Sequence, residues 1–233
     1  MIAHAVPPAA PVVWVQAGHQ APREPGYRAQ TGAGSGPFGS EVAFNTRVAA
    51  RVTVLLRRYR VNARRTPGRV TPRAARGAVF VSIHHDSDGG RAGVGAARTG
   101  VGENWYHGEG FGTASPVPYA DSAPHRPATT VTRAVERRSR DLANRIATRL
   151  KRIHTPANGA YGSFGGVEPR DGNPRMTHFY GFYRTRAGAR VLVEAGDPAR
   201  DAAFLRRTDL IAVAVTRAVL DHLRSRSLIP RRA

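Results

Sequence analysis

The sequence predicts an α/β fold, namely a single domain with a mostly parallel, twisted sheet and helices on both faces. Short apolar runs alternate along the chain with segments in which apolar residues recur every three or four positions. The strongest runs are continuously apolar, which is typical of parallel strands covered on both faces. The 233 residues contain neither an internal repeat nor a linker between two cores, so we predict one domain over residues 1–233.

A loop separates the first predicted strand from the first helix. Residues 12–16 form an apolar run ended by Gly18 and predict a buried strand. Residues 21–40 are rich in Gly, Pro and Ser and predict a loop. A helix is expected from Glu41, with Ser40 as its N-cap. Its apolar positions have helical spacing: Phe44, Val48, Val52, Leu55 and Leu56.

The middle of the chain contains the second strong strand. Residues 61–65 predict a short strand, and residues 79–83 predict a strong one that ends at His84. A Gly/Pro-rich insert follows at about 87–130. Within this insert we expect an irregular chain with one edge strand at 103–107.

The last part of the chain combines two helices with the third strong strand. Residues 131–153 predict a long basic helix, and residues 176–183 predict a weak strand. Residues 191–193 predict the third strong strand, which ends at Glu194, and a final helix is expected at 209–226. The inner face of the basic helix is apolar: Val135, Leu142, Ile146, Leu150 and Ile153.

The charge of the chain is strongly positive, with a net charge of +20 and a pI near 11.7. Nearly all of the cationic residues are arginine, and Lys151 is the one lysine. A basic surface attracts polyanions, and nucleic acid and an anionic cell-wall polymer are the candidate partners. A general drift of composition toward arginine explains the charge equally well, so charge alone assigns no function.

Cysteine is absent, which excludes disulfides and thiolate ligands. Any metal must therefore be held by His, Asp or Glu. No run of about 18 apolar residues occurs, so we predict no transmembrane helix. Residues 1–11 lack the basic and apolar regions of an intact secretory signal.

Four ionisable residues are expected to converge at one edge of the sheet. Ligands of open α/β sheets bind outside the carboxyl ends of the strands. His19 follows the first strand, His84 ends the second and Glu194 ends the third. Glu41 opens the helix after the first loop, and a helix that follows a parallel strand begins at that same edge.

Two histidines and one carboxylate form a complete protein ligand set for catalytic zinc, with a fourth position left for water. The sequence therefore predicts a zinc site at His19, Glu41 and His84. Such a metal lowers the pKa of its water toward about 7 and polarises a carbonyl. Glu194 is then expected to transfer the proton from water to a leaving amine.

Each of these residues also has an interpretation without chemistry. Glu41 could only stabilise the helix, since an acidic residue in the first turn interacts favourably with the positive end of the dipole. His19 could be only a turn residue. His85 is an alternative ligand to His84, because neighbours on a strand point to opposite faces. Asp86 could orient a ligand histidine or simply end the strand.

The residues around these positions resemble a known family, the zinc-dependent N-acetylmuramoyl-L-alanine amidases, which have a phosphorylase/hydrolase-like α/β fold. The resemblance implies that His19, Glu41 and His84 are the zinc ligands and that Glu194 is the catalytic acid. It also implies hydrolysis of the amide between N-acetylmuramic acid and L-alanine in peptidoglycan, in the cell envelope or outside the cell. The matching segments occur in the family's order: residues 13–19, residues 39–41 with Asn45, residues 80–86, Ser139 with Leu142 and Ala143, and residues 191–196.

The chain departs from the family outside the metal site. Residues 20–22 are Gln-Ala-Pro where the family usually has a second glycine, and residues 64–77 lack its acidic residue. His107, His125 and His178 lie in or near irregular stretches, where a solvated histidine is favoured over a substrate contact.

Two other functions remain open on the sequence alone. A zinc peptidase or deacylase for another acidic substrate would keep the metal site and change the substrate. A non-enzymatic, Arg-rich protein that binds nucleic acid would explain the charge. We rank the latter low, because no helix-turn-helix, zinc-finger or aromatic RNA-binding signature is visible.

Overall fold

The computed structural model describes residues 9–19, 40–67, 75–86, 90, 92–100, 106–107, 126–127, 129–154, 164–167 and 185–231. Its strands are β1 (Val12–Ala17), β2 (Asn62–Pro67), β3 (Arg76–His84), β4 (Gly93–Ala96), β5 (Tyr106–His107), β6 (Arg126–Pro127) and β7 (Arg186–Glu194). Its helices are α1 (Glu41–Arg58), α2 (Arg133–Ile153), α3 (Ala202–Leu205) and α4 (Thr208–Ser225).

Five strands form one mixed sheet in the order β2-β1-β3-β7-β4. The first four run parallel, and β4 runs antiparallel to β7 at the edge. The three strands predicted as strong are the three central ones, as their continuous apolar sequences require. The predicted α/β domain with a mostly parallel sheet is confirmed.

Three short elements were not predicted, namely β4, β6 and α3. Strand β4 lies in the Gly/Pro-rich insert, and its Gly-Val-Gly-Ala sequence has little strand propensity. It forms because the backbone of β7 offers it hydrogen-bonding partners along that edge. The short helix α3 also has no periodic signal, because four residues are too few to show one.

Other predicted elements lie wholly or partly outside the described residues. Of the edge strand expected at 103–107, only residues 106–107 are described, and they pair with residues 126–127. The weak strand expected at 176–183 and most of the loop at 21–40 are outside the described residues.

The long helices α1, α2 and α4 pack against one face of the sheet. Their buried side chains form a continuous core with one set of alternating strand residues. The helix α4 lies against both α1 and α2. Phe80 and Leu192 are fully buried on the opposite face and lie outside this core. The sequence predicted helices on both faces of the sheet, whereas the described long helices all lie on the face that carries this core. The core strand residues are Val13, Val15, Ala17, Val79, Val81, Ile83, Ala189, Val191 and Val193.

Two of the three long helices, α1 and α2, begin with a side-chain cap. The Ser40 hydroxyl accepts a hydrogen bond from the backbone N–H of Ala43 at 3.2 Å, as predicted for this N-cap. Thr132 caps α2 in the same way. Among the described helices, none combines the length and apolarity needed to cross a bilayer.

Candidate metal centre

Three of the four sequence-predicted site residues meet at the carboxyl edge of the sheet. His19 lies two residues beyond β1, His84 is the last residue of β3, and Glu41 is the first residue of α1. The backbone N–H of Gly18 donates to the carbonyl of Ile83 at 3.0 Å, which carries the β1–β3 pairing up to the site. One ligand atom from each of the three side chains lies within 4.8 Å of the other two.

The two distances from Glu41 to the histidines are close to those between ligands that share one metal ion. Glu41 Oε1 lies 3.0 Å from His84 Nδ1 and 3.5 Å from His19 Nε2. Two ligand atoms bound tetrahedrally at about 2.1 Å from a zinc ion are about 3.4 Å apart. Two imidazole nitrogens and a carboxylate oxygen are also the donor types that catalytic zinc takes. The residues present therefore fit a zinc ion.

Glu41 is held in its ionised form. Burial by itself raises the pKa of this carboxyl group. A hydrogen bond from His84 and the charges of His19, His84 and His85 outweigh this effect and lower the pKa to about 2. At neutral pH the carboxylate is therefore an anionic donor. The cluster opens to solvent on one side, because His19 is 18% exposed whereas His84 is 1% exposed.

Gly18 makes the approach of the two histidines possible. A Cβ atom at this position would lie 2.0 to 2.4 Å from three ring atoms of His84, far inside van der Waals contact. The next residue, His19, has a φ of 56°, in the left-handed region that non-glycine residues seldom occupy. The backbone thus turns sharply to bring the His19 ring edge-on to that of His84, with centroids 4.9 Å apart.

Asn45 joins two parts of the cluster, a role that sequence reasoning missed. Its Nδ2 donates to the carbonyl of Gly18 at 3.0 Å and to Glu41 Oε1 at 3.2 Å. One amide group therefore fixes both the turn that precedes His19 and the carboxylate of Glu41. The sequence could have indicated this role, because Asn45 lies one helical turn after Glu41 and residues four apart share a helix face.

Glu194 lies beside the cluster without being one of its three members. It is the last residue of β7 and the register partner of His84 in β3, so the two side chains point to the same face of the sheet. On its other side the partner is Gly93, which has no side chain. Glu194 is 5% exposed. A buried carboxyl group next to a histidine cluster is suited to proton transfer.

His85 points away from the cluster. Its ring lies 5.4 Å from that of Phe44 in α1, and its Nδ1 donates to the carbonyl of Asp86 at 2.8 Å. The geometry therefore brings His84 rather than His85 to the other two residues. The expected role of Asp86 in orienting a ligand stays a prediction. His125 and His178 lie outside the described residues, as does the His107 side chain.

A buried hydrogen bond between a histidine and an aspartate, also missed at the sequence level, holds the loop that follows Glu194. His154 Nε2, at the end of α2, lies 2.8 Å from Asp201 Oδ1. The other oxygen of Asp201 accepts from the backbone N–H of Asp197 at 2.9 Å. This contact joins α2 to the loop and limits the movement of the backbone beyond Glu194.

Comparison with known proteins finds likeness in structure rather than in sequence. No family model and no curated protein sequence matches the chain. The structure is similar to N-acetylmuramoyl-L-alanine amidase from Clostridium difficile 630, with a TM-score of 0.54 and 14% identity over 93% of this chain and 98% of that one.

Two further solved structures give the same result. The Ami1 amidase from Mycobacterium smegmatis has a TM-score of 0.54 and 19% identity, covering 93% of this chain and 98% of that one. The CwlD amidase from Clostridioides difficile, solved in complex with the GerS lipoprotein, has a TM-score of 0.56 and 13% identity, covering 92% and 99%. The chain therefore has the fold of the N-acetylmuramoyl-L-alanine amidases.

Proposed function

We propose that this protein is a zinc-dependent N-acetylmuramoyl-L-alanine amidase, which hydrolyses the amide between N-acetylmuramic acid and L-alanine in peptidoglycan. The observation that carries the proposal is the cluster of His19, Glu41 and His84 beside Glu194, at the carboxyl edge of the sheet. The amidase fold supports the same reaction class. A cell-envelope or extracellular location follows from the substrate.

The three clustered side chains would hold the metal, with Glu41 contributing the negative charge. A bound zinc ion supplies a Lewis acid for the amide carbonyl and lowers the pKa of a water molecule toward about 7. Gly18 and Asn45 keep the donors in place before the substrate arrives, so little reorganisation is needed.

Glu194 would act as the general base and then as the general acid. An ionised carboxylate accepts the proton of the attacking water, and the protonated group donates it to the nitrogen of L-alanine as the amide bond breaks. Its position beside His84 on the neighbouring strand supports this role. The partly exposed side of the cluster, at His19, is where the substrate would enter.

The test separates metal binding from proton transfer. We expect Glu194→Ala to retain one zinc per chain and to lose turnover of purified sacculi by roughly 10²- to 10⁴-fold, the usual contribution of a general acid–base group. His84→Ala is expected to lose both zinc and turnover. Metal analysis and the release of peptides with free L-alanine N-termini are the measurements.

A glutamate outside the site provides the control. Glu136 lies on α2, where its carboxylate accepts from the Thr99 hydroxyl at 2.9 Å. Glu136→Ala is expected to keep both zinc and turnover. Full activity in Glu194→Ala, or wild-type protein without zinc and without turnover of sacculi, would count against the proposal.

A further inference from the structure

A cavity of about 330 Å³ opens between the helices α2 and α4. These helices cover one face of the sheet, whereas His84 and Glu194 point to the opposite face. The cavity is therefore separate from the metal cluster. Its lining residues are Arg149 on α2 and Arg217, Leu220, Asp221 and Arg224 on α4.

The three arginines of the cavity share a single carboxylate. Arg149 donates to one oxygen of Asp221, and Arg224 Nη1 lies 3.3 Å from the other. Arg217 is exposed, and within the described part of the chain it takes part in no ion pair and no side-chain hydrogen bond. The cavity therefore carries an excess of positive charge.

Arg224 also presents a donor that lacks an acceptor. Its Nε atom is buried, and no described residue accepts a hydrogen bond from it. A buried N–H group without an acceptor is costly, and such groups in native proteins usually bind water or a ligand. An anion in the cavity would supply the acceptor.

The positive charge continues beyond the cavity along the α2–α4 seam. Burial and the charges of Arg226 and Arg137 lower the pKa of Arg138, so Arg226, at the end of α4, lies near α2. Arg217 and Arg226 are nine positions apart, which corresponds to about 14 Å along a helix. Asp141 and Asp221 are outnumbered by the arginines of the seam, which are Arg138, Arg145, Arg149, Arg217, Arg224 and Arg226.

A row of arginines between two helices suits a polymer that carries repeated phosphate groups. The planar fork of a guanidinium group matches two phosphate oxygens, and these charge-assisted hydrogen bonds are roughly twice as strong as neutral ones. Proteins that bind single-stranded nucleic acid also stack its bases on aromatic side chains. None of the residues that line the cavity is aromatic. The lining therefore favours a phosphate polymer without bases.

We propose that the α2–α4 seam binds a polyol-phosphate polymer of the cell wall and thereby holds the protein at the wall. The choice of a wall polymer rests on the proposed function, which places the protein at peptidoglycan. The choice of a phosphate ligand rests on the seam itself. Because the seam and the metal cluster lie on opposite sides of the sheet, polymer and peptidoglycan can bind at the same time.

The first experiment measures the binding of a fluorescent poly(glycerol phosphate) chain to the zinc-loaded protein by polarisation. Arg217→Gln and Arg224→Gln are each expected to weaken binding by about tenfold, the size of one lost charge-assisted hydrogen bond. Each should also make binding less dependent on salt, because one phosphate contact is removed. Arg217→Gln breaks no ion pair of the described residues, so it should leave stability unchanged.

The matched control is an exposed arginine of α2 that faces away from the seam. Arg140 is nine positions before Arg149, or about 2.5 helical turns, so the two lie on opposite sides of the helix. Arg140→Gln removes the same charge and should leave binding unchanged. Equal weakening in Arg140→Gln would show that only the overall charge of the protein matters, which overturns the proposal.

Two further ligands test the kind of anion. Single-stranded DNA with the same number of phosphates is expected to bind more weakly than the wall polymer, and inorganic phosphate more weakly still. DNA that binds more tightly and depends on the same two arginines would make the seam a nucleic-acid surface. Inorganic phosphate that binds as tightly as the polymer would make it a site for a single ion. Either result overturns the proposal.

Turnover of sacculi is measured separately, so the two proposals can fail independently. If the wild type cleaves no sacculi but binds the polymer with the expected pattern among the variants, the amidase assignment fails and the binding seam stands. If sacculi are cleaved and the polymer does not bind, the seam proposal fails and the amidase stands.

Discussion

The His84 imidazole packs directly against the backbone of Gly18, the residue before His19. The missing side chain of Gly18 leaves the volume that the His84 imidazole fills. The backbone at Gly18 is held on two sides, by the carbonyl of Ile83 and by the amide of Asn45. An added methyl group would therefore displace the imidazole more easily than the turn.

At this scale we expect Gly18→Ala to weaken zinc binding by about 10- to 100-fold, the range typical of residues that orient metal ligands. The shifted His84 ring would lose its alignment with the other two donors. Competition with a chromogenic chelator measures the affinity, and circular dichroism checks the fold.

The control for this substitution is Gly188→Ala in β7, where the new Cβ would lie 3.1 Å from the carbonyl of Ala78. It tests a crowded strand glycine remote from the cluster, and it should leave zinc affinity unchanged. Unaltered zinc binding in Gly18→Ala would show that the ring has room to move, contrary to the geometry.

The helix α1 presents Glu41 to the cluster, and its position depends on both of its ends and on its buried face. Ser40 caps its first turn, and Arg57 and Arg58 lie in the last turn, where cations favour the helix dipole. Val48, Val52 and Leu56 are fully buried, so the helix body is fixed by the core. The cap acts on the one turn that carries Glu41.

We expect Ser40→Ala to cost about 1 kcal/mol in the free energy of unfolding, because the N–H of Ala43 loses its acceptor. Since the first turn also carries Glu41, zinc affinity should fall as well, and Ser40→Asp should restore both. Urea unfolding of the metal-free protein and chelator competition are the measurements.

Thr132→Ala is the matched variant, because Thr132 caps α2 with the same geometry at 3.3 Å from the N–H of Val135. It should cost similar stability without affecting zinc. Equal losses of zinc affinity in the two cap variants would trace the effect to global destabilisation instead of the first turn of α1.

For the whole molecule, the cluster joins segments that lie far apart in the chain: the end of β1, the start of α1 and the end of β3. An ion bound there cross-links three elements that the unfolded chain cannot hold together. Binding to the folded state alone stabilises it, by about 2.7 kcal/mol when the free ion is at a hundred times its Kd. Under the proposed function, metal binding and folding would therefore be coupled.

We expect zinc at a hundred times its Kd to raise Tm by about 5 to 10 °C relative to the chelated protein, given roughly 2 to 4 °C per kcal/mol for a domain of this size. Differential scanning calorimetry measures the shift. His84→Ala should show no zinc-dependent shift, and a shift of full size in that variant would place the stabilising ion elsewhere.

Much of the fold was predictable because its signals are local. The apolar runs at 12–16, 79–83 and 191–193 became the central strands, and the Ser40 cap and helical spacing correctly placed α1. The edge strand β4 was not predictable, because its glycines carry no strand preference and its pairing partner lies about a hundred residues away.

For the candidate site, too, local signals were predictable and long-range contacts were not. The sequence by itself determined which residues stand at strand and helix ends, and thus that His19, Glu41, His84 and Glu194 share one sheet edge. Only the tertiary structure decided that His84 rather than His85 turns toward the cluster, that Asn45 links Gly18 to Glu41, and that Arg149, Arg217 and Arg224 line one cavity. The physical reason is that periodicity and capping depend on neighbouring residues, whereas side-chain contacts depend on register and packing between distant ones.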